Sequence, residues 1–119
     1  MTEQERDELF KQAEEARING EYEAAQPMYE RIVSELPSYA DARTGLGHCL
    51  LNTGMFDEAL EQYKLVVEMC PTTVRCLLTY GKALCMLGLL DEAKEQFLRV
   101  LDIDPDNEDA ADQMTYFPD

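Results

Sequence analysis

Three carboxylates alternate near the end of the chain, in the segment Asp102-Ile-Asp104-Pro-Asp106. Alternating carboxylates are typical of calcium-binding loops, in which several oxygens must converge on one ion. The rest of such a loop is missing, since Asn107 stands where glycine is needed and Gln113 stands where a bidentate glutamate is needed. The sequence therefore predicts no calcium site here.

Thiol and imidazole groups are the other candidates for reaction or metal binding. The four cysteines, Cys49, Cys70, Cys76 and Cys85, show no Cys-x-x-Cys spacing, and His48 is the one histidine. Adjacent residues on a helix point about 100° apart, so His48 and Cys49 cannot act as base and nucleophile. A pair of Cys85 with His48 is conceivable but has no further support. We expect reduced thiols, no metal, no other cofactor and no catalysis.

Charge limits the kinds of partner. The formal net charge is -15 and the isoelectric point is about 4.2, so the surface repels phosphates and anionic lipids. We therefore expect protein partners and no binding of nucleic acid or membranes. The N-terminal residues lack the basic and apolar regions of a signal peptide, and no later stretch has the length and apolarity of a membrane span. These features predict a cytoplasmic protein.

The elements that position these groups are indicated by a repeat. Three series of residues recur every 34 positions: Gly20, Gly54 and Gly88; Ala25, Ala59 and Ala93; Pro37, Pro71 and Pro105. Apolar residues follow helical spacing on both sides of each glycine, which predicts a helical hairpin in each unit. The expected helices span residues 4–18, 22–35, 40–53, 56–69, 74–87 and 90–103, with a seventh after Asn107.

Turn residues agree with these boundaries. A glycine after the last helical turn can take the left-handed conformation that satisfies terminal carbonyls, and a proline ends each second helix. Short polar side chains after the prolines are expected to cap the next helix: Ser38, Thr72 or Thr73, and Asp106 or Asn107. Pro27 would lie inside a helix, where it deletes a hydrogen bond and crowds Glu23. We expect a late start or a kink there.

These residues resemble the tetratricopeptide repeat family. Repeat two has Leu46-Gly47, Leu50, Ala59, Tyr63 and Pro71, repeat three has Tyr80-Gly81, Leu84, Ala93, Phe97 and Pro105, and repeat one keeps Ala25, Tyr29 and Pro37. The resemblance implies an all-α, right-handed superhelical solenoid of three helical hairpins in a single domain, residues 1–119. The implied repeats are 6–39, 40–73 and 74–107, followed by a short capping helix within 108–117.

In this family the first helices line a concave groove that binds a peptide or a partner protein, which implies a non-catalytic adaptor. The corresponding groove positions are Phe10, Glu14, Arg17, Thr44, His48, Leu51, Asn52, Arg75, Leu78, Lys82, Cys85 and Met86. Some members hold acidic chaperone tails with a carboxylate clamp of Lys, Asn and Arg. Here the clamp positions hold Phe10, Glu14, Gly45, Arg75 and Thr79. One cation remains and Glu14 would repel the tail, so we predict no clamp.

The stretch between Glu68 and Asp91 contains no acidic residue, although 25 of the 119 residues of the chain are acidic. It contains Arg75, Leu78, Lys82 and Met86. Exposed apolar residues beside cations are typical of interfaces, so we predict the binding hot spot on this third hairpin. The alternative is a buried stretch with solvated cations, in which Met86 belongs to the core.

Two other functions fit the same sequence. One is a small acidic chaperone that shields an apolar segment of a secreted protein, and the other is a self-assembling scaffold. About a dozen residues follow Pro105 and can form a cover of about two helical turns, which is marginal without tertiary contacts. We therefore expect part of the face with Leu98 and Leu101 to stay exposed and to pair with a second copy of the chain.

Overall fold

The computed structural model describes residues 1–117, and Pro118 and Asp119 lie outside this part. The described residues form seven α-helices and contain no strand, which confirms the all-α prediction. The chain divides into two compact units, Met1–Met69 and Cys70–Asp119.

The first unit contains two helical hairpins. Its helices are α1 (Glu3–Ile18), α2 (Tyr22–Glu35), α3 (Ala40–Asn52) and α4 (Phe56–Met69). Helix α1 packs on α2, α2 on α3, and α3 on α4. Ala25 and Ala59 are fully buried where a small side chain lets helices approach closely, and Tyr29 and Tyr63 fill the space beside them.

The second unit contains one hairpin and a short last helix. Its helices are α5 (Val74–Met86), α6 (Leu90–Ile103) and α7 (Glu108–Met114). Phe97 and Val100 of α6 are fully buried against α5, and α7 packs on α6 through the buried Ala110. The Phe117 ring lies 6.0 Å from the Phe97 ring, so the residues after α7 also cover the hairpin.

Helices α1 to α6 begin and end within one residue of the expected positions, and α7 lies within the expected cap, residues 108–117. Gly20, Gly54 and Gly88 all have positive φ angles, between 77° and 85°, as the turn after each first helix requires. Asn107 caps α7 by accepting a hydrogen bond from the Ala110 amide at 2.8 Å.

Two of the other expected caps do not form. The N-cap position of α3 is Tyr39 rather than Ser38, and Thr73 occupies the N-cap position of α5 without a side-chain hydrogen bond. Both helices therefore begin without a side-chain cap. Each has a buried face, and tertiary packing of such a face can stabilise a helix whose first amides receive no capping bond.

We expected a late start or a kink at Pro27, and the late start is wrong. Helix α2 begins at Tyr22 and continues through the exposed Pro27 to its end. The proline removes the hydrogen bond to the Glu23 carbonyl. Ala25 and Tyr29 are buried on either side of it, so tertiary packing holds the helix where its local preference is poor.

Candidate binding faces on the first helices

In the first unit, helices α1 and α3 contact each other and together carry seven of the predicted groove residues. Six are half-buried and Asn52 is exposed; the half-buried ones are Phe10, Glu14, Arg17, Thr44, His48 and Leu51. We call these seven residues the α1/α3 face. These residues remain accessible to solvent, whereas the core residues of the hairpins are buried.

Three charged or polar groups form a closed network on this face. Arg17 Nη2 donates to Glu14 Oε2 at 2.9 Å, and Arg17 Nε donates to the Tyr29 hydroxyl at 3.1 Å. The Tyr29 hydroxyl in turn donates to Glu14 Oε1. Each member therefore has two partners, and the network joins α1 to α2.

Burial and hydrogen bonds shift the pKa of each member. Burial acts to raise the pKa of Glu14, but the hydrogen bonds from Arg17 and Tyr29 outweigh it and hold that pKa below its usual value. Burial acts to lower the pKa of Arg17, and its bonds to Glu14 and Tyr29 reverse that effect and raise it. Burial, reinforced by the bond to Glu14, raises the pKa of Tyr29. The network therefore holds an ion pair and a neutral phenol.

His48 makes the corresponding contact in the second hairpin. Its Nδ1 lies 2.7 Å from the Tyr63 hydroxyl, and the two ring centroids are 5.5 Å apart. Burial lowers the pKa of His48; nearby Arg17 lowers it further, while Glu14 opposes the shift. Burial also raises the pKa of Tyr63. A neutral imidazole therefore meets a neutral phenol, and either ring tautomer can complete the bond.

These contacts follow the 34-residue register. Glu14 and His48 occupy equivalent positions on their first helices, and each meets the tyrosine that stands 15 residues later. In the third hairpin the equivalent pair is Lys82 and Phe97. Because phenylalanine has no hydroxyl, Lys82 has no polar partner there. The lysine pairs instead with Asp109 of α7, with 2.7 Å between Nζ and Oδ2.

Glycines make room for these aromatic rings. A Cβ placed on Gly47 would lie 2.7 Å from Cε1 of Tyr63, and one on Gly45 would overlap the ring of Tyr29. The first helix and the ring are therefore in direct contact, which fixes where the tyrosine hydroxyl emerges. Gly45 is also one of the clamp positions considered above, and the ring leaves no room there for an asparagine side chain.

Phe10 is held by rings on both sides. Its centroid lies 6.2 Å from that of Tyr29 and 5.5 Å from that of Tyr39, both in edge-on geometry. The guanidinium of Arg6 lies 5.2 Å from the centre of the Tyr39 ring. This aromatic cluster presents one half-buried edge on the α1/α3 face.

In the second unit, helix α5 carries the remaining predicted positions. Arg75, Lys82 and Met86 are exposed, whereas Leu78 and Cys85 are half-buried. Met86 is 71% exposed, so it does not belong to the core. The stretch between Glu68 and Asp91 has no acidic residue of its own. In the folded unit, however, Asp109 of α7 pairs with Lys82 and compensates its charge.

None of the four cysteines, all of which lie within residues 1–117, forms a disulfide bond, and Cys49 is buried. Burial raises the pKa of Cys49 to about 11 and also raises the pKa of Cys85. Both thiols are therefore protonated near neutral pH and are poor nucleophiles. Over residues 1–117, no cluster of His, Cys, Asp or Glu has a metal-binding arrangement. In the same range, no helix combines the length and apolarity needed to cross a membrane.

Sequence reasoning missed Tyr29, Tyr63 and Asp109 as partners of the groove positions. For the tyrosines a signal was available, because the pair Glu14 and Tyr29 recurs 34 residues later as His48 and Tyr63, with the same spacing of 15 residues. For Asp109 no local signal exists, since it lies 27 residues from Lys82 on another helix.

Two family models described as tetratricopeptide repeat match the sequence, one over residues 16–73 and one over residues 74–107. No curated protein matches the chain.

Solved structures of this kind share the fold. The first TPR of Spaghetti (RPAP3), bound to the HSP90 peptide SRMEEVD, is 22% identical with a TM-score of 0.85, covering 98% of this chain and 92% of its own. YrrB, a TPR protein with an unusual peptide-binding site, is 26% identical with a TM-score of 0.82, covering 92% of this chain and 57% of its own. The Yersinia enterocolitica type III secretion translocator chaperone SycD is 19% identical with a TM-score of 0.80, covering 97% of this chain and 87% of its own.

Proposed function

Because this chain belongs to the tetratricopeptide repeat family, we propose that it is a non-catalytic adaptor that binds a peptide or a segment of a partner protein. The proposed binding surfaces are the α1/α3 face of the first unit and the face of α5 with Arg75, Leu78, Lys82 and Met86. We also propose that the protein is cytoplasmic, in keeping with its acidic composition and with four cysteines that form no disulfide bond.

The supporting observation is the accessibility of these residues above a closed core. Tyr29 and Tyr63 are fully or almost fully buried, whereas the residues of the α1/α3 face that lie over them remain solvent-accessible. The face offers an aromatic edge, an ion pair and a neutral imidazole, all held in place by hydrogen bonds. Preorganised groups of this kind lower the entropic cost of binding an extended segment.

The structures of the Spaghetti repeat and YrrB were each described with peptide binding, which agrees with this use of the fold. An acidic chaperone tail is not the partner that we propose. Glu14 is ionised at a clamp position, and Gly45 has no room for a donor side chain. The proposed partner segment therefore lacks a terminal acidic cluster.

The test is recovery of partners from native lysate, followed by affinity measurement with variants. Arg75→Glu combined with Lys82→Glu should weaken binding by at least ~1 kcal/mol without changing helical content. Asp109→Asn is the matched control, since it breaks the ion pair but leaves Lys82 in place. Unchanged affinity in the folded double variant, or equal weakening in the control, would contradict a role for the α5 cations.

The two alternatives give different results in the same experiment. A chaperone of a secreted protein, comparable to the translocator chaperone SycD, would recover one dominant secreted protein. A self-assembling scaffold would recover mainly copies of this chain, and its mass in solution would rise reversibly with concentration. A groove-binding adaptor stays monomeric and loses its partner when the face is altered.

A further inference from the structure

A group of large apolar side chains lies in solvent at the turn between α5 and α6. Met86 is 71% exposed, Leu89 is 39% exposed and Leu90 is 52% exposed. They are neighbours because the positive φ of Gly88 reverses the chain and the Leu89 amide donates to the Leu84 carbonyl at 2.9 Å. We call Met86, Leu89 and Leu90 the turn patch.

The side chains of the turn patch are not part of the buried core of the hairpin. Leu84 and Ala93, on either side of the turn, are fully buried and hold α5 against α6. Leu89 is the N-cap residue of α6, a position that favours small polar side chains in most helices. Apolar residues at this turn are therefore unfavourable for the isolated hairpin, and exposed apolar residues that lie together are typical of a surface that contacts another molecule.

The same chemistry recurs in the first unit. Met55 and Phe56 stand at the equivalent positions of the turn between α3 and α4, and each is close to half exposed. In the first hairpin these positions hold Glu21 and the half-buried Tyr22, so the feature is weaker there.

Unpaired carboxylates border the turn patch. Asp91 and Glu92 directly follow Leu90, and neither side chain forms an ion pair or hydrogen bond with any residue in the described part of the chain. Asp57 and Glu58 stand in the same relation to Phe56. The helix dipole favours carboxylates in a first turn, but it leaves their charge open to a partner.

An apolar centre with a charged rim is the usual composition of a protein interface. The rim here is negative, on a chain whose net charge is -15, so an acidic partner would be repelled. We propose that the turn patch binds an amphipathic segment of a partner protein whose large apolar side chains alternate with Lys or Arg. This surface shares Met86 with the α5 face of the proposed function, but Leu89 and Leu90 lie outside that face and outside the α1/α3 face.

The test uses three synthetic helical peptides of equal length, composed of Leu and Lys, Ser and Lys, or Leu and Glu. Binding to the full chain is followed by chemical-shift changes of the amides of residues 89–92, which belong to the turn patch and its acidic border and not to the α5 face. We expect binding by the Leu/Lys peptide at micromolar to millimolar concentration and weakening by salt, since part of the attraction is electrostatic. The other two peptides should bind at least ~10-fold more weakly, because each lacks one of the two complementary features.

Two pairs of variants separate specific binding from general attraction to an acidic protein. Leu89→Ser with Leu90→Ser should weaken the Leu/Lys peptide at least ~5-fold, since the apolar contact is lost. Tyr116→Ser is the control, because Tyr116 is also exposed but lies outside the patch. Asp91→Asn with Glu92→Gln should weaken it at least ~3-fold and reduce its salt dependence. Asp102→Asn with Asp106→Asn makes the same charge change elsewhere in the unit.

The inference is overturned if both charge variants weaken binding equally, since the attraction would then be general. It is also overturned if the Leu/Glu peptide binds as well as the Leu/Lys peptide, or if the amides of residues 89–92 do not shift. Binding of vesicles containing anionic phosphatidylglycerol through these amides, without peptide binding, would assign the patch to membranes and contradict a protein partner. Phe10→Ala should leave peptide binding at the turn patch unchanged, which keeps this outcome separate from that of the proposed function.

Discussion

At the scale of single residues, the two buried tyrosines of the first unit differ in the charge of their partners. The Tyr29 hydroxyl bonds to the ionised Glu14 and Arg17, whereas the Tyr63 hydroxyl bonds to a neutral imidazole. Hydrogen bonds to charged groups contribute more to stability than bonds between neutral groups. The equivalent residue of the second unit is Phe97, so an aromatic ring without a hydroxyl is compatible with this position.

Replacing each tyrosine by phenylalanine should therefore give unequal losses. We expect Tyr29→Phe to lower the free energy of unfolding by ~1.5–3 kcal/mol and Tyr63→Phe by ~0.5–1.5 kcal/mol. Urea unfolding of both variants measures the difference, with circular dichroism as a control for helical content. Equal losses, or a larger loss at Tyr63, would contradict the assignment of charge in the Tyr29 network.

His48 should make stability depend on pH. Its pKa in the folded protein lies below the ordinary value of 6.5 because of burial and the nearby Arg17, with Glu14 opposing. The unfolded chain then binds a proton at a higher pH than the folded chain does. Stability is therefore lost as pH falls through about 6.5 toward the folded pKa.

The measurement compares the wild type with His48→Asn, which does not titrate in this range. Between pH 8 and pH 5.5 the unfolding free energy of the wild type should fall relative to that of the variant. A difference in stability between the two proteins shifts one curve of unfolding free energy against pH relative to the other. It does not change the difference in slope, which reports the titration of His48. Parallel curves would show that the imidazole titrates alike in both states.

At the scale of the helical hairpin, glycine serves two different purposes. Gly47 lies inside α3 against the Tyr63 ring, where an added Cβ would meet Cε1 at 2.7 Å. Gly54 lies in the turn with a φ of +85°, and a Cβ there would meet nothing within 4 Å. Substitution of Gly47 is therefore limited by the space beside the ring, and substitution of Gly54 by the backbone conformation.

Alanine and asparagine substitutions should rank in opposite orders at these two glycines. At Gly54, asparagine should be better tolerated than alanine, by ~0.5–1 kcal/mol, because it adopts the left-handed conformation more readily. At Gly47, asparagine should be worse than alanine by at least ~1 kcal/mol, since the larger side chain collides with the ring. Thermal and urea unfolding of the four variants gives the two orders, and the same order at both sites would contradict this division.

At the scale of the whole molecule, charge and exposed apolar surface act against each other. The net charge of -15 favours separation of chains, especially at low ionic strength. Helix α7 and Phe117 cover Phe97, but Leu98 beside it remains 48% exposed and Leu101 is half-buried. Self-pairing through this side of α6 therefore requires that repulsion be screened.

We expect reversible dimers at high protein concentration that strengthen as salt is added. Leu98→Glu should abolish them, whereas Ile18→Glu, at an exposed position on α1, should not. Sedimentation velocity over a range of concentration and salt measures this. A chain that stays monomeric under all these conditions would exclude pairing through α6.

The sequence alone predicted the six hairpin helices, with their ends to within one residue, together with the hairpin repeat. That success has a local cause, since left-handed glycines, chain-breaking prolines and helical apolar spacing act within one or two turns. It also placed the residues of the α1/α3 face on two helices that contact each other. The family pattern carried this information because equivalent positions recur every 34 residues.

Tertiary structure alone decided which groups meet across helices. The pairing of Lys82 with Asp109, the network that closes on Tyr29 and the solvent exposure of Met86 depend on how helices rotate against each other. Pro27 shows the same limit, because its local cost predicted a late start or a kink in α2. The helix begins at Tyr22, and the burial of Tyr29 stabilises that start. Local preferences amount to about 1–3 kcal/mol and specify where a helix ends, whereas packing of whole faces specifies its neighbours.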